Sequence, residues 1–220
     1  MTVINSIAGF FQDGGVFMYP IVIVLAAGLA ISIERYLFLS EMCVTNRMVW
    51  DSITPFIRAG KFQEAVMLTS NSKSLMGQIL KYGLHRTGSP GRRDVLENAM
   101  EESLMEIMPI LEKRTHYLAT FATIAALLGL LGSIIGLINA FTSVMSAAPA
   151  EKADLLVASI SVTMNTMAFG LMVAIPLLFL HAFLQSKTTN IIESLEIASV
   201  KFLNAVDERR ALTRAVRQPV

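Results

Sequence analysis

Residues 161 to 176, SVTMNTMAFGLMVAIP, place Ser161, Thr163, Asn165 and Thr166 inside a run, Leu155 to Ser186, whose only titratable side chain is His181. Hydroxyls and an amide offer neutral oxygens that solvate a proton or a hard cation, but none of them carries charge at neutral pH. Ser159, Thr163, Thr166 and Gly170 recur every three or four residues, so they share one helix face, flanked by Ser161 and Asn165. A buried Ser or Thr can satisfy itself on the carbonyl four residues earlier. An amide in lipid has no such escape and leaves donors and acceptors unmet at a cost of several kcal/mol. The face bearing Asn165 is therefore expected against protein or water.

A second apolar run, LLGLLGSIIGLINAFTSV, repeats the pattern with smaller side chains. Gly129, Ser133, Gly136, Ala140 and Ser143 form one face, with Gly132 and Asn139 at its border. Such a face lets helix backbones approach closely in lipid. Neither run contains Asp, Glu, Lys or Arg, so an ion carrier in the membrane has to come from a partner helix. Three helices cannot surround a pore, so a lumen lined by these two faces requires an oligomer, by default one with closed rotational symmetry.

The elements that must position these residues follow from composition. The chain of 220 residues is 54% hydrophobic and 16% charged, with a mean hydropathy of +0.57, which excludes an ordinary soluble domain. Uncharged stretches at Gly14 to Ile33, Tyr117 to Ala150 and Leu155 to Ser186 reach the length of about 20 residues that a transmembrane helix needs. Residues 1 to 13 hold no Lys or Arg and the first run is too long for a signal-peptide core, so the first span is expected to be retained. Lys and Arg concentrate between 34 and 116 and in the tail after 185, which orients the N-terminus to the periplasm or exterior and the C-terminus to the cytoplasm. The spacing in the tail, Ile192, Leu195, Ser199, Phe202 and Val206, is that of an amphipathic helix.

The chain is thus expected to be an all-α membrane protein with three transmembrane helices and long cytoplasmic helical extensions. It divides into a periplasmic interfacial helix (1–13), transmembrane helix 1 (14–38), a cytoplasmic helical region (39–116) and transmembrane helix 2 (117–145). A periplasmic loop (146–155), transmembrane helix 3 (156–184) and a cytoplasmic C-terminal helix (185–220) complete it. In the cytoplasmic region Pro55, Gly60 and TGSPGRR are read as breaks between short helices. From Asp94 one helix is expected to continue into the membrane, kinked at Pro109; Pro176 is a further kink site in the third span.

Much chemistry is absent from the sequence. There is one cysteine, Cys43, and the three histidines lack ligand spacing, so neither an internal disulfide nor a metal site is expected. No phosphate loop, HExxH or nucleophile elbow occurs, so no enzyme activity, no cofactor and no nucleic-acid partner is expected.

Taken together, three spans with the N-terminus outside, ER after span one, GLLGSIIGLINAF in span two and AFGLMVAIP in span three resemble the MotA/TolQ/ExbB proton channel family, in its ExbB/TolQ-like branch. The resemblance implies a homopentamer around a dimer of a single-span ExbD/TolR-like protein whose transmembrane Asp carries the ion, in the bacterial inner membrane. It implies a stator that uses the proton motive force to drive rotation and energise an envelope process, with a TonB- or TolA-like protein as a further partner and lipid around the spans. Residue by residue, Ser133 stands where the family has a Thr after Gly in span two. Met167 stands at the family's span-three Thr, and Thr166 at a position that is Thr in branches with a paired Thr. Val162 stands where ExbB-like members carry Glu. The ion pathway so implied is Ser133, Thr163, Asn165 and Thr166, with Gly129, Gly132, Gly136, Asn139 and Gly170 packing the lumen wall. The transported ion would be H+, although the extra neutral oxygens also suit Na+. A non-conducting membrane scaffold is the reading from a different class, and an autonomous channel is disfavoured by the missing charged ring.

Overall fold

The computed structural model describes residues 15–70, 74–87 and 93–217. The interfacial helix expected over 1–13 lies outside them. Six helices and no strand occur among the described residues: α1 (Met18–Ala59), α2 (Phe62–Ser70), α3 (Leu75–Thr87), α4 (Arg93–Glu112), α5 (Thr115–Ser146) and α6 (Lys152–Arg217). Three stretches, Met18–Ala59, Arg93–Ser146 and Lys152–Ala211, are long and apolar enough to cross a membrane. The protein is therefore all-α with three candidate spans.

The chain forms two compact units. One comprises the residues up to Arg35 together with Arg114–Leu184, and the other comprises Tyr36–Lys113 together with the residues from Gln185 onward. In the first, the spanning unit, α1 contributes Met18 and Ile21, α5 Leu118, Ala122 and Ala125, and α6 Phe169, Val173 and Leu177 to the interior. A Cβ on Gly28 would come within 2.6 Å of Leu177 Cδ2, so α1 and α6 meet there on a missing side chain. Large apolar residues such as Ile23, Ile138, Met164 and Phe179 face outward, an arrangement suited to lipid.

The second unit is charged, and its core is built from larger side chains. Helices α2, α3 and α4 pack in sequence, α3 against both neighbours. Ile53, Ile57, Ile79, Leu80, Met100, Leu111 and Phe202 are fully or almost fully buried. On α6 the buried stripe is Ile191, Leu195, Ala198, Phe202 and Val206, the amphipathic face expected in the tail, with Ile192 and Ser199 at its edge. Arg93 Nη1 donates to Asp207 Oδ2 at 2.7 Å, joining the start of α4 to α6.

The helix breaks differ from expectation at two places. Pro55 does not end a helix: α1 continues through it to Ala59. Proline removes one backbone donor, a loss the last turn tolerates while Ile53 and Ile57 on the same face are buried. The stop is Gly60, whose φ of 73° permits Gly60 N to donate to Ile57 O and Lys61 N to Phe56 O, a Schellman closure. As expected, α4 runs through Pro109, but it ends at Glu112. The expected continuous helix is interrupted at Lys113 and Arg114, where Arg114 has a φ of 65°. Its guanidinium donates to Glu34 Oε2 at 2.9 Å, so the turn ties the start of α5 to α1 within the spanning unit.

Candidate functional site

Helices α5 and α6 bring the small and hydroxylated faces into one seam. Its centre has almost no side chain: Cβ atoms on Gly129 and Gly170 would lie 3.1 and 2.8 Å from the Cα of the other glycine. On the Lys152 side of Gly170 the glycines of α5 face threonines of α6. A Cβ on Gly132 would stand 2.6 Å from Thr166 Cγ2, and one on Gly136 would stand 2.6 Å from Thr163 Oγ1. Each threonine fills the space that a glycine leaves, a knob into a hole on the scale of one methyl group.

The hydroxyls are buried and partnered. Ser133, Thr163 and Thr166 are 7, 5 and 3% exposed. Thr163 Oγ1 donates to Ser159 O at 2.7 Å and Thr166 Oγ1 to Val162 O at 3.0 Å, each one turn back on its own helix. Ser133 Oγ lies 3.1 Å from Gly129 O on its own helix and 3.2 Å from Thr163 O across the seam. It has one proton for two carbonyls, so that proton is shared between an intrahelical and an interhelical acceptor. A hydroxyl oxygen that donates its proton keeps lone pairs that can accept. What this arrangement offers chemically is a buried, neutral set of oxygens of the kind that can accept from a proton donor or solvate a cation.

Of the residues singled out from sequence, Ser133, Thr163, Thr166, Gly129, Gly132, Gly136 and Gly170 thus meet in one place. Asn165 is half-buried and Asn139 exposed, both beside the seam. Pro176 lies exposed on α6, and the helix is not interrupted there. His181 is half-buried near the middle of the same helix. Among the described residues no group of three or more His, Cys, Asp or Glu stands close enough to hold a metal ion.

Sequence reading missed two residues that fix the seam in place. Gly28 lets α6 approach α1 through Leu177, and Arg114 holds Glu34. The signal for the first was the small-residue stretch Ala26, Ala27, Gly28 and Ala30 within the first apolar run. For the second it was opposite charges at the ends of two apolar runs.

Residues 71–197 match the family model described as the MotA/TolQ/ExbB proton channel family. A search of curated proteins returns no match.

Proposed function

The chain belongs to the MotA/TolQ/ExbB proton channel family, and from that premise we propose that it is the ion-conducting stator subunit of an inner-membrane energy transducer. In this reading five copies enclose a dimer of a single-span ExbD/TolR-like partner, with N-termini periplasmic and C-termini cytoplasmic. Proton flow turns one against the other and energises an envelope process such as TonB-dependent outer-membrane transport. The coupling is of useful size, because a unit charge crossing the membrane releases about 2.3 kcal/mol per 100 mV.

One observation carries the reading: the apolar runs of spans two and three hold a seam of three buried hydroxyls and no carboxylate. A lining that can accept a proton but cannot carry one calls for a carrier from outside the chain. Asn165, at the edge of the seam, would meet that carboxylate first, and Thr166 and Ser133 would follow. The same neutral oxygens suit Na+, which makes a sodium-driven stator the alternative within the family.

A packing-only scaffold is favoured by one fact, that every seam hydroxyl already reaches a backbone carbonyl. Thr166→Val separates the two, because valine keeps the shape and removes the oxygen. The chain is co-expressed with its single-span partner, the native mass is measured, and acidification is followed in vesicles under an imposed potential. A stator assembles with normal mass and loses ion flux by an order of magnitude or more, as when an oxygen facing a desolvated charge is removed. Full flux in the variant overturns the pathway assignment, and loss of assembly with no flux in the parent supports the scaffold.

A further inference from the structure

Helix α6 has a groove on each side within the charged unit. The first, about 430 Å³, lies between α1 and α6 with Met76 of α3 at its wall; its polar lining is Cys43, Asn46, Arg47, Asp51, Ser194 and Lys201, with Trp50 beside them. The second, about 390 Å³, lies between α4 and α6 and is lined by Glu97, Glu101, Glu196 and the methionines 100, 105 and 108. At about 100° per residue, Ser194 and Lys201 point about 200° away from Glu196 and Leu203 around the helix. One side of α6 is thus a mixed groove carrying two cations and one carboxylate, and the other is a groove whose α4 wall is an acidic ridge carrying the exposed Met105.

Both are unfinished. In the first groove Asn46 is 6% exposed; its Oδ1 accepts from Met76 N at 3.1 Å, capping α3, while its buried Nδ2 has no hydrogen-bond partner among the described residues. Arg47 approaches Asp51 only at 4.0 Å, and both side chains are largely in solvent, so that contact holds neither charge firmly. Lys201 makes no ion pair with another described residue. On the ridge Glu101, Glu102 and Glu106 surround the exposed Met105, likewise unpaired among the described residues.

We propose that the acidic methionine ridge of α4 in one copy of this chain docks into the Arg47–Lys201 groove of the next. The occupant is argued from complementarity. The groove lacks a counter-charge for Lys201 and holds Arg47 only loosely, and the ridge supplies carboxylates beside a flexible apolar side chain that moulds to irregular walls. Because the two surfaces sit on opposite sides of one helix, the contact is head to tail. A heterologous contact of that kind repeats from copy to copy and closes into a ring when the rotation permits. The inference rests on the oligomeric part of the proposed function and supplies a contact for it outside the spans.

The experiment uses the full chain in membranes. Cys43 is the only cysteine and is exposed in the groove. One tagged form keeps Cys43, and a second, differently tagged form carries Cys43→Ser and Met105→Cys. Treatment with a short bifunctional maleimide is expected to join the two tags when both forms are co-expressed, and to join nothing when either is alone. A chain with both cysteines should produce a ladder extending beyond the dimer. Cross-linking through Cys43 alone indicates a symmetric face-to-face contact and overturns the proposal, as does failure of the mixed pair to cross-link. In parallel, R47E/K201E is expected to lower the assembled fraction at low salt by about tenfold or more, with E101K/E102K restoring it, since like charges brought together cost several kcal/mol. A ring of unchanged mass without the mixed cross-link overturns this contact and leaves the stator reading intact.

Discussion

The seam of the spanning unit and the core of the charged unit are both made of helices with 3.6-residue periodicity, yet they are held together differently. In the charged unit large side chains interdigitate: Phe202 is fully buried, and Met100 and Phe202 close over Gly83. In the seam backbone meets backbone, with Gly129 against Gly170 and hydroxyls bonded to carbonyls. Water drives the first arrangement by expelling apolar surface. Lipid provides no such drive between helices, so the second needs close contact and polar bonds. The two consequently fail under different substitutions.

The largest effect expected is in the charged core. Phe202→Ala should cost about 3–5 kcal/mol by emptying a fully buried site, read as a drop in the denaturation midpoint. The spans should remain helical by circular dichroism.

Gly170→Ala tests the seam. Its Cβ would stand 2.8 Å from Ala125 O and Gly129 Cα, backbone atoms that cannot rotate away. A loss of about 1–3 kcal/mol is expected from forcing the helices apart. Gly83→Ala sharpens the comparison, because the clash there is with Met100 Sδ and Phe202 Cε1 at 2.9 Å, ends of side chains that can yield. It should cost less than Gly170→Ala in the same thermal assay, and an equal or larger cost would erase the distinction between the units.

Smaller still is Ser133→Ala. The carbonyls it leaves are those of helical backbone, so about 1 kcal/mol or less is expected. Ion flux should fall far more than that figure implies if Ser133 lies on the pathway. At the bottom of the scale, Asp207→Asn removes a half-exposed partner of Arg93 and should change stability by about 0–1 kcal/mol, less at high salt.

The spans and the seam were legible in the sequence because uncharged length and a recurrence of small residues every three or four positions are local properties. Ser133, Thr163 and Thr166 could be assigned to faces before any packing was known. The turn at Arg114 was not legible, since nothing in EKRTHY marks a left-handed residue; Glu34 of α1, far away in sequence, accepts its side chain. Pro55 was read as a break by its local cost, which burial of its neighbours in α1 outweighs, whereas α4 runs through Pro109 as its periodicity implied. Nothing local marks Asn46, because its bond to the first turn of α3 is a tertiary contact thirty residues away.

The absence of side chains between Gly129 and Gly170 also has a thermal signature. Burial of apolar surface from water carries a large heat capacity, which bends the stability curve and weakens the fold on cooling. A contact made in lipid by dispersion and hydrogen bonds removes almost no water, so its free energy should vary nearly linearly with temperature. On chilling, the charged unit approaches the falling side of its curve while the seam keeps its strength, and the two halves of one short chain part company in calorimetry rather than in shape.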